Sequence, residues 1–127
     1  MSTMIKDEVK PRDIRERTFE FAIRVIELCR KLPRDEVNRI FINQVIRSAT
    51  SIGANLEEAQ GANTRPEFTN CTNIAKKEAR ETNYWLRLIA EANPAFKKKM
   101  DEIIIESESI VKILTASVKK LRSRSDI

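Results

Sequence analysis

The stretch Gln44-Val45-Ile46-Arg47-Ser48-Ala49-Thr50-Ser51-Ile52-Gly53-Ala54-Asn55-Leu56-Glu57-Glu58-Ala59 decides the fold. Val45, Ala49, Ile52, Leu56 and Ala59 recur at three- and four-residue steps, the period of a helix packed on one side. Ser48, Ser51 and Asn55 flank that stripe, and Gln44 and Arg47 stand one turn before it. Small side chains in such places let a neighbouring backbone approach closely, and polar ones inside a bundle require partners.

Three further stripes lie on either side of it. In the first helix Ala22, Val25, Cys29 and Leu32 form a seam, widened by Phe19, Ile23 and Ile26, with Phe21 and Leu28 as a second line. Leu32-Pro33 ends it, because proline disfavours helical geometry in the residue before it. Val37, Ile40, Phe41 and Val45 open the second helix, and Gly61-Ala62-Asn63 stops it. Thr64-Arg65-Pro66-Glu67 fits a capping box at the start of the third, whose core stripe reads Phe68, Cys71, Ala75, Ala79, Thr82, Leu86 and Ile89. Asn93-Pro94 breaks the chain and is expected to cap the fourth helix. There Met100, Ile104, Ser107, Val111, Leu114, Val118 and Leu121 alternate in coiled-coil steps. The expectation is one all-α domain over residues 1–127, an antiparallel up-down-up-down four-helix bundle. Its helices are expected over about 13–32, 35–60, 65–92 and 95–121.

Composition excludes most alternatives. The chain of 127 residues is 41% hydrophobic and 34% charged, with two glycines and four prolines: too apolar for disorder, too poor in turn residues for an all-β fold. No apolar run approaches the roughly 20 residues of a membrane span, and the first residues lack a signal-peptide core, so a cytoplasmic protein without membrane contact is expected. There is no histidine, which removes the commonest general base and metal ligand. Cys29 and Cys71 form no CxxC pair and read as small apolar side chains. No phosphate loop is present, nor a nucleophile beside a base, so no enzyme, metal or cofactor is expected. An enzyme would have to rely on Glu58, Glu78 and Glu81.

If the second and third helices form a hairpin about Asn63, residues equidistant from the turn come level. That sets Arg47 beside Glu78, Gln44 beside Glu81 and Asn55 beside Cys71, and predicts a partly buried polar network of Gln44, Arg47, Asn55, Glu78 and Glu81. Such a network fixes helix register and need do no chemistry.

Formal charge is +5, and the excess is uneven. Residues 93–127 carry eight Lys/Arg against five Asp/Glu, with Lys97, Lys98 and Lys99 at one end and Lys119, Lys120, Arg122 and Arg124 at the other. These seven are the candidate contacts to nucleic-acid phosphates, with Arg12, Arg15 and Arg17 as weaker ones. Of the scarce aromatics, Tyr84 and Trp85 could stack on bases, though Trp85 could equally pack against another subunit. Phe21, Leu28, Ile42, Ile46, Ile105 and Ile113 exceed what one small bundle can hide, which predicts a homo-oligomer.

Phe19-x-Phe21-Ala22, then Gln44-x-x-Arg47-Ser48-x-x-Ser51-Ile52-x-x-Asn55-Leu56-x-Glu58-Ala59, then Ile74-Ala75-Lys76-Lys77-Glu78-Ala79-x-Glu81-Thr82-x-Tyr84-Trp85-Leu86 resemble the 23S ribosomal RNA intervening-sequence proteins. They also resemble accessory proteins of diversity-generating retroelements. The resemblance implies a bacterial homopentamer of four-helix subunits without enzymatic activity or defined catalytic residues. For the retroelement relatives it implies a basic nucleic-acid-binding surface and a reverse-transcriptase partner. The leading expectation is therefore a non-enzymatic oligomer that binds structured RNA or an RNA–protein complex. The alternative is a protein-binding scaffold with no nucleic-acid contact.

Overall fold

Helix-forming stripes separated by short breaks fold back on one another. The computed structural model describes residues 11–125, with side chains over 14–123. It contains α1 (Pro11–Lys31), α2 (Glu36–Gln60), α3 (Arg65–Ala92), the short α4 (Pro94–Lys97), a 3-10 turn (Lys98–Met100) and α5 (Asp101–Ser125). The described residues hold helices and no strand. Cross-helix bonds show that successive long helices run antiparallel. Arg15 early in α1 meets Glu57 late in α2, and Asn38 early in α2 meets Asn93 just beyond α3.

Each start has a local cause. Asp35 caps α2 by accepting from the Asn38 N–H at 2.8 Å. Thr64 Oγ1 accepts from the Glu67 N–H at 3.2 Å, and Pro66 sits in the first turn, where its missing donor costs nothing. Glu67 returns its carboxylate to the Asn63 N–H at 2.9 Å, one residue earlier than an ordinary capping box. The fourth long helix departs from expectation. Instead of one run from residue 95, a single helical turn passes into a tighter 3-10 turn, and α5 begins at Asp101. Met100, at the end of that turn, is fully buried.

The core differs from the expected stripes in phase. In α1 it runs through Ile14, Thr18, Phe21, Val25, Cys29 and Leu32. Phe21 is thus central, while Phe19 and Ile23 point to solvent. In α2, Val37 and Ile40 are exposed and Asn38 takes the buried position. Thr72 rather than Cys71 lies in the core of α3, and Ile103 and Ile110 replace Ile104 and Val111 in α5. Leu28, Ile42, Ile46 and Ile113 pack half-buried against the core. Of the six residues expected as surplus, Ile105 alone is exposed; the exposed apolar surface among the described residues is made by Phe19, Ile23, Val37, Ile40, Tyr84 and Ile105.

The closest packing is between α2 and α3, where small residues meet: Ser48 and Ala49 on one helix, Ala75, Ala79 and Thr82 on the other. Thr82 Oγ1 and Ser48 Oγ lie 2.8 Å apart; one of the two hydroxyl protons bridges them and the other goes to the carbonyl of either Glu78 or Val45. At the end where α1 turns into α2, Asn38 and Asn93 exchange two amide hydrogen bonds, each 2.9 Å. The same two amides also donate to the carbonyls of Pro33 and Ile89. Asn93 therefore does not cap the helix that follows it, as its position beside Pro94 suggested; its side chain is spent on this lock.

Two stability predictions follow from this packing. Asn38→Leu removes the donor to Asn93 Oδ1, one acceptor of the Asn93 amide and the donor to the Pro33 carbonyl, and should lower unfolding free energy by about 2–3 kcal/mol in urea denaturation. Gly53 sits inside α2, and an added Cβ would lie 3.5 Å from Thr18 Oγ1, an ordinary contact. Gly53→Ala should therefore stabilise by about 0.5–1 kcal/mol in the same assay, from the smaller entropy loss on forming helix.

Candidate nucleic-acid interface

The polar residues of α2 and α3 come together largely as the hairpin register requires. Arg47 donates to Glu78 Oε1 at 3.4 Å and to Gln44 Oε1 at 3.2 Å, and it pairs with Glu81. Trp85, absent from the expected network, donates its indole N–H to Glu81 at 2.9 Å. Asn55 does not take part; it bonds the Ser51 carbonyl within its own helix. The network is more open than expected, with the Arg47 side chain 48% exposed. Glu58 lies 11 residues further along α2, roughly 16 Å away, so the fold does not gather Glu58, Glu78 and Glu81 into one group.

This arrangement sorts the charges of α3. Glu78 and Glu81 turn towards α2, where Arg47 engages them. Arg80 and Arg87 turn the other way, towards α5. With Asn83, Glu108, Val111 and Lys112 they line a groove of about 340 Å³. Asn83 braces its floor, donating to Ser107 Oγ at 2.8 Å and accepting from Arg87 Nε at 2.9 Å. Among the described residues, no ion pair involves Arg80, Arg87 or Lys112. Lys76, one turn before Arg80, and Lys119, two turns beyond Lys112, extend the same faces.

Two other grooves lack this bias. One of about 500 Å³ beside the α1–α2 connection sets Arg34 and Arg39 against Asp35 and Glu36. Another, of about 330 Å³, sets Arg15 against Glu16, Glu20 and Glu57. Three cations against one carboxylate distinguish the α3–α5 groove.

The cations singled out in the sequence do not make one patch. Lys97, Lys98 and Lys99 lie just before α5, whereas Lys119, Lys120 and Arg122 lie near its other end, roughly 30 Å away along the helix. Lys97 is paired with Glu91 at 2.7 Å, and the Lys99 ammonium sits 5.6 Å from the Phe96 ring centre. Arg15 is tied to Glu57, and Arg17 to Glu106 at 2.8 Å and to Ser109. The side chains of Arg12 and Arg124 fall outside the described residues. The sequence reading missed Arg80, Arg87 and Lys112 because each stands within a few residues of a carboxylate, and only helix phase separates the two signs.

The aromatics divide as well. Trp85 packs on Phe41 at 6.1 Å between ring centres and spends its indole N–H on Glu81, so it belongs to the subunit. Tyr84 is 49% exposed. Burial pushes the Cys29 thiol up to about 11, which suits a side chain of the core and not a nucleophile.

Because the Arg47 cluster faces solvent, screening should hold its contribution down. Arg47→Ala is expected to change unfolding free energy by no more than about 1 kcal/mol. The tryptophan emission should shift as Glu81 is released, which fluorescence-detected urea titration reads together with stability.

Comparison with known proteins places this geometry. Residues 10–116 match the family described as 23S rRNA-intervening sequence protein. A crystal structure of a protein of unknown function from the S23 ribosomal protein family of Bacteroides thetaiotaomicron superposes with a TM-score of 0.79 at 36% identity. That match covers 87% of this chain and 99% of the other. No curated protein matches. A shared fold at this identity, over nearly the whole of both chains, places this chain in the 23S rRNA-intervening sequence protein family.

Proposed function

We propose that this chain is a non-enzymatic, homo-oligomeric protein that binds structured RNA or an RNA–protein complex through the α3–α5 groove. One observation carries the reading: Arg80, Arg87 and Lys112 line a groove with one carboxylate, Glu108, and among the described residues none of the three makes an ion pair. Cations in such a setting release counterions when they meet phosphates, a favourable process that needs no base-reading motif. A formal charge of +5 favours a polyanion at longer range. Self-association is supported by exposed apolar pairs one turn apart, Phe19 with Ile23 and Val37 with Ile40. Those pairs lie on α1 and α2, leaving the groove on α3 and α5 open for the ligand. The competing reading, a protein-binding scaffold, draws on the same apolar pairs but gives the groove no task.

A filter-binding titration against RNA at low and moderate salt tests the proposal. Binding should weaken steeply with salt. The double variant Arg80→Ala/Lys112→Ala should reduce the salt slope by roughly two, one for each phosphate contact removed. Lys98→Ala/Lys99→Ala should leave the slope near that of the parent chain. Absence of binding at low salt rejects the reading.

A further inference from the structure

Tyr84 is 49% exposed and, unlike the more exposed Phe19, stands beside an arginine of the α3–α5 groove. Its surroundings are specific. Trp85 meets it edge-on, with ring centres 5.3 Å apart and planes 69° from parallel. The Arg87 guanidinium lies over one face of the tyrosine ring, 5.9 Å from its centre, so only the other side could take a base. Arg80 is one turn before Tyr84, and both arginines line the cationic groove. Trp85 is in turn held by Phe41 and by its bond to Glu81, so the tyrosine leans on a fixed support. An aromatic ring braced from behind and flanked by unneutralised arginines is the arrangement that takes an unstacked base, with the cations following the adjacent phosphates.

We infer that Tyr84 is a base-stacking platform at the rim of the α3–α5 groove, so that the ligand presents an unpaired segment there. The inference rests on the proposed RNA-binding role and narrows it. Duplex RNA offers no exposed base face, whereas a loop, bulge or single strand does. The stack is indifferent to base identity, because every base has a π-face. The cations supply the salt-dependent part of the affinity and the ring supplies a part that salt does not screen.

Fluorescence anisotropy on the full chain, with an oligouridylate and a perfect RNA duplex as probes, tests this. Tyr84→Ala should weaken oligouridylate binding about tenfold while leaving the salt slope and the duplex affinity unchanged. Tyr84→Phe, which keeps the ring, should bind like the parent chain. If oligouridylate binds and Tyr84→Ala has no effect, or weakens both probes equally, the platform is refuted while the RNA-binding role stands. If Tyr84→Ala alters the sedimentation of the assembly, the ring belongs to a subunit contact and the inference fails. If neither probe binds at low salt, the RNA-binding role falls and the platform with it.

Discussion

The register between α2 and α3 governs everything else about this molecule. Small residues at Ser48, Ala49, Ala75, Ala79 and Thr82 draw the two backbones together, and the Ser48–Thr82 hydrogen bond inside that contact gives it a fixed setting. A shift of one turn would break that bond, leaving each hydroxyl only the carbonyl of its own helix, and would part the small residues that let the backbones meet. With the setting fixed, Arg47 comes level with Glu78 and Glu81, and Asn38 comes level with Asn93. The amide lock then closes the end of the bundle where the chain passes from α1 to α2 and from α3 onwards to α5.

The same register produces the surface proposed to bind RNA. Between Lys76 and Arg87 four cations are interleaved with two carboxylates, Glu78 and Glu81, so no long basic run marks the segment. Folding separates the signs. The carboxylates are taken up by Arg47 on one side of α3, and the arginines are left on the other, where α5 contributes Lys112 and a single facing acid, Glu108. A bundle with modest net charge thus acquires a groove lined by three cations and one carboxylate. Tyr84 stands at its rim because Trp85, its neighbour in sequence, is anchored from the α2 side.

Much of the architecture is legible in the sequence, for a plain reason. Helix periodicity, Pro33, the Thr64–Glu67 cap and Pro94 are local signals, and they set the helix count and most boundaries. The α2–α3 register was legible as well, because the tight turn at Asn63 allows simple counting from it, and Arg47 with Glu78 and Glu81 emerged that way. Helix phase was less so. Phe19 and Phe21 are equally apolar, and nothing local says that Phe21 enters the core. Asn38 was invisible because an asparagine reads as surface until its partner, 55 residues away, is known. The lysine runs at residues 97–99 and 119–120 are conspicuous in the sequence, whereas Arg80, Arg87 and Lys112 are dispersed in the chain and brought together only by the fold.

The central claim is that folding sorts the charges of α3 so that the face towards α5 becomes the nucleic-acid surface. Photocrosslinking of the protein to RNA containing 4-thiouridine, followed by mass spectrometry of the crosslinked peptides, examines it most directly. Crosslinks should fall in peptides spanning residues 76–87 and 112–119. Crosslinks confined to residues 97–99 or to α1, with those peptides unmodified, would contradict the account.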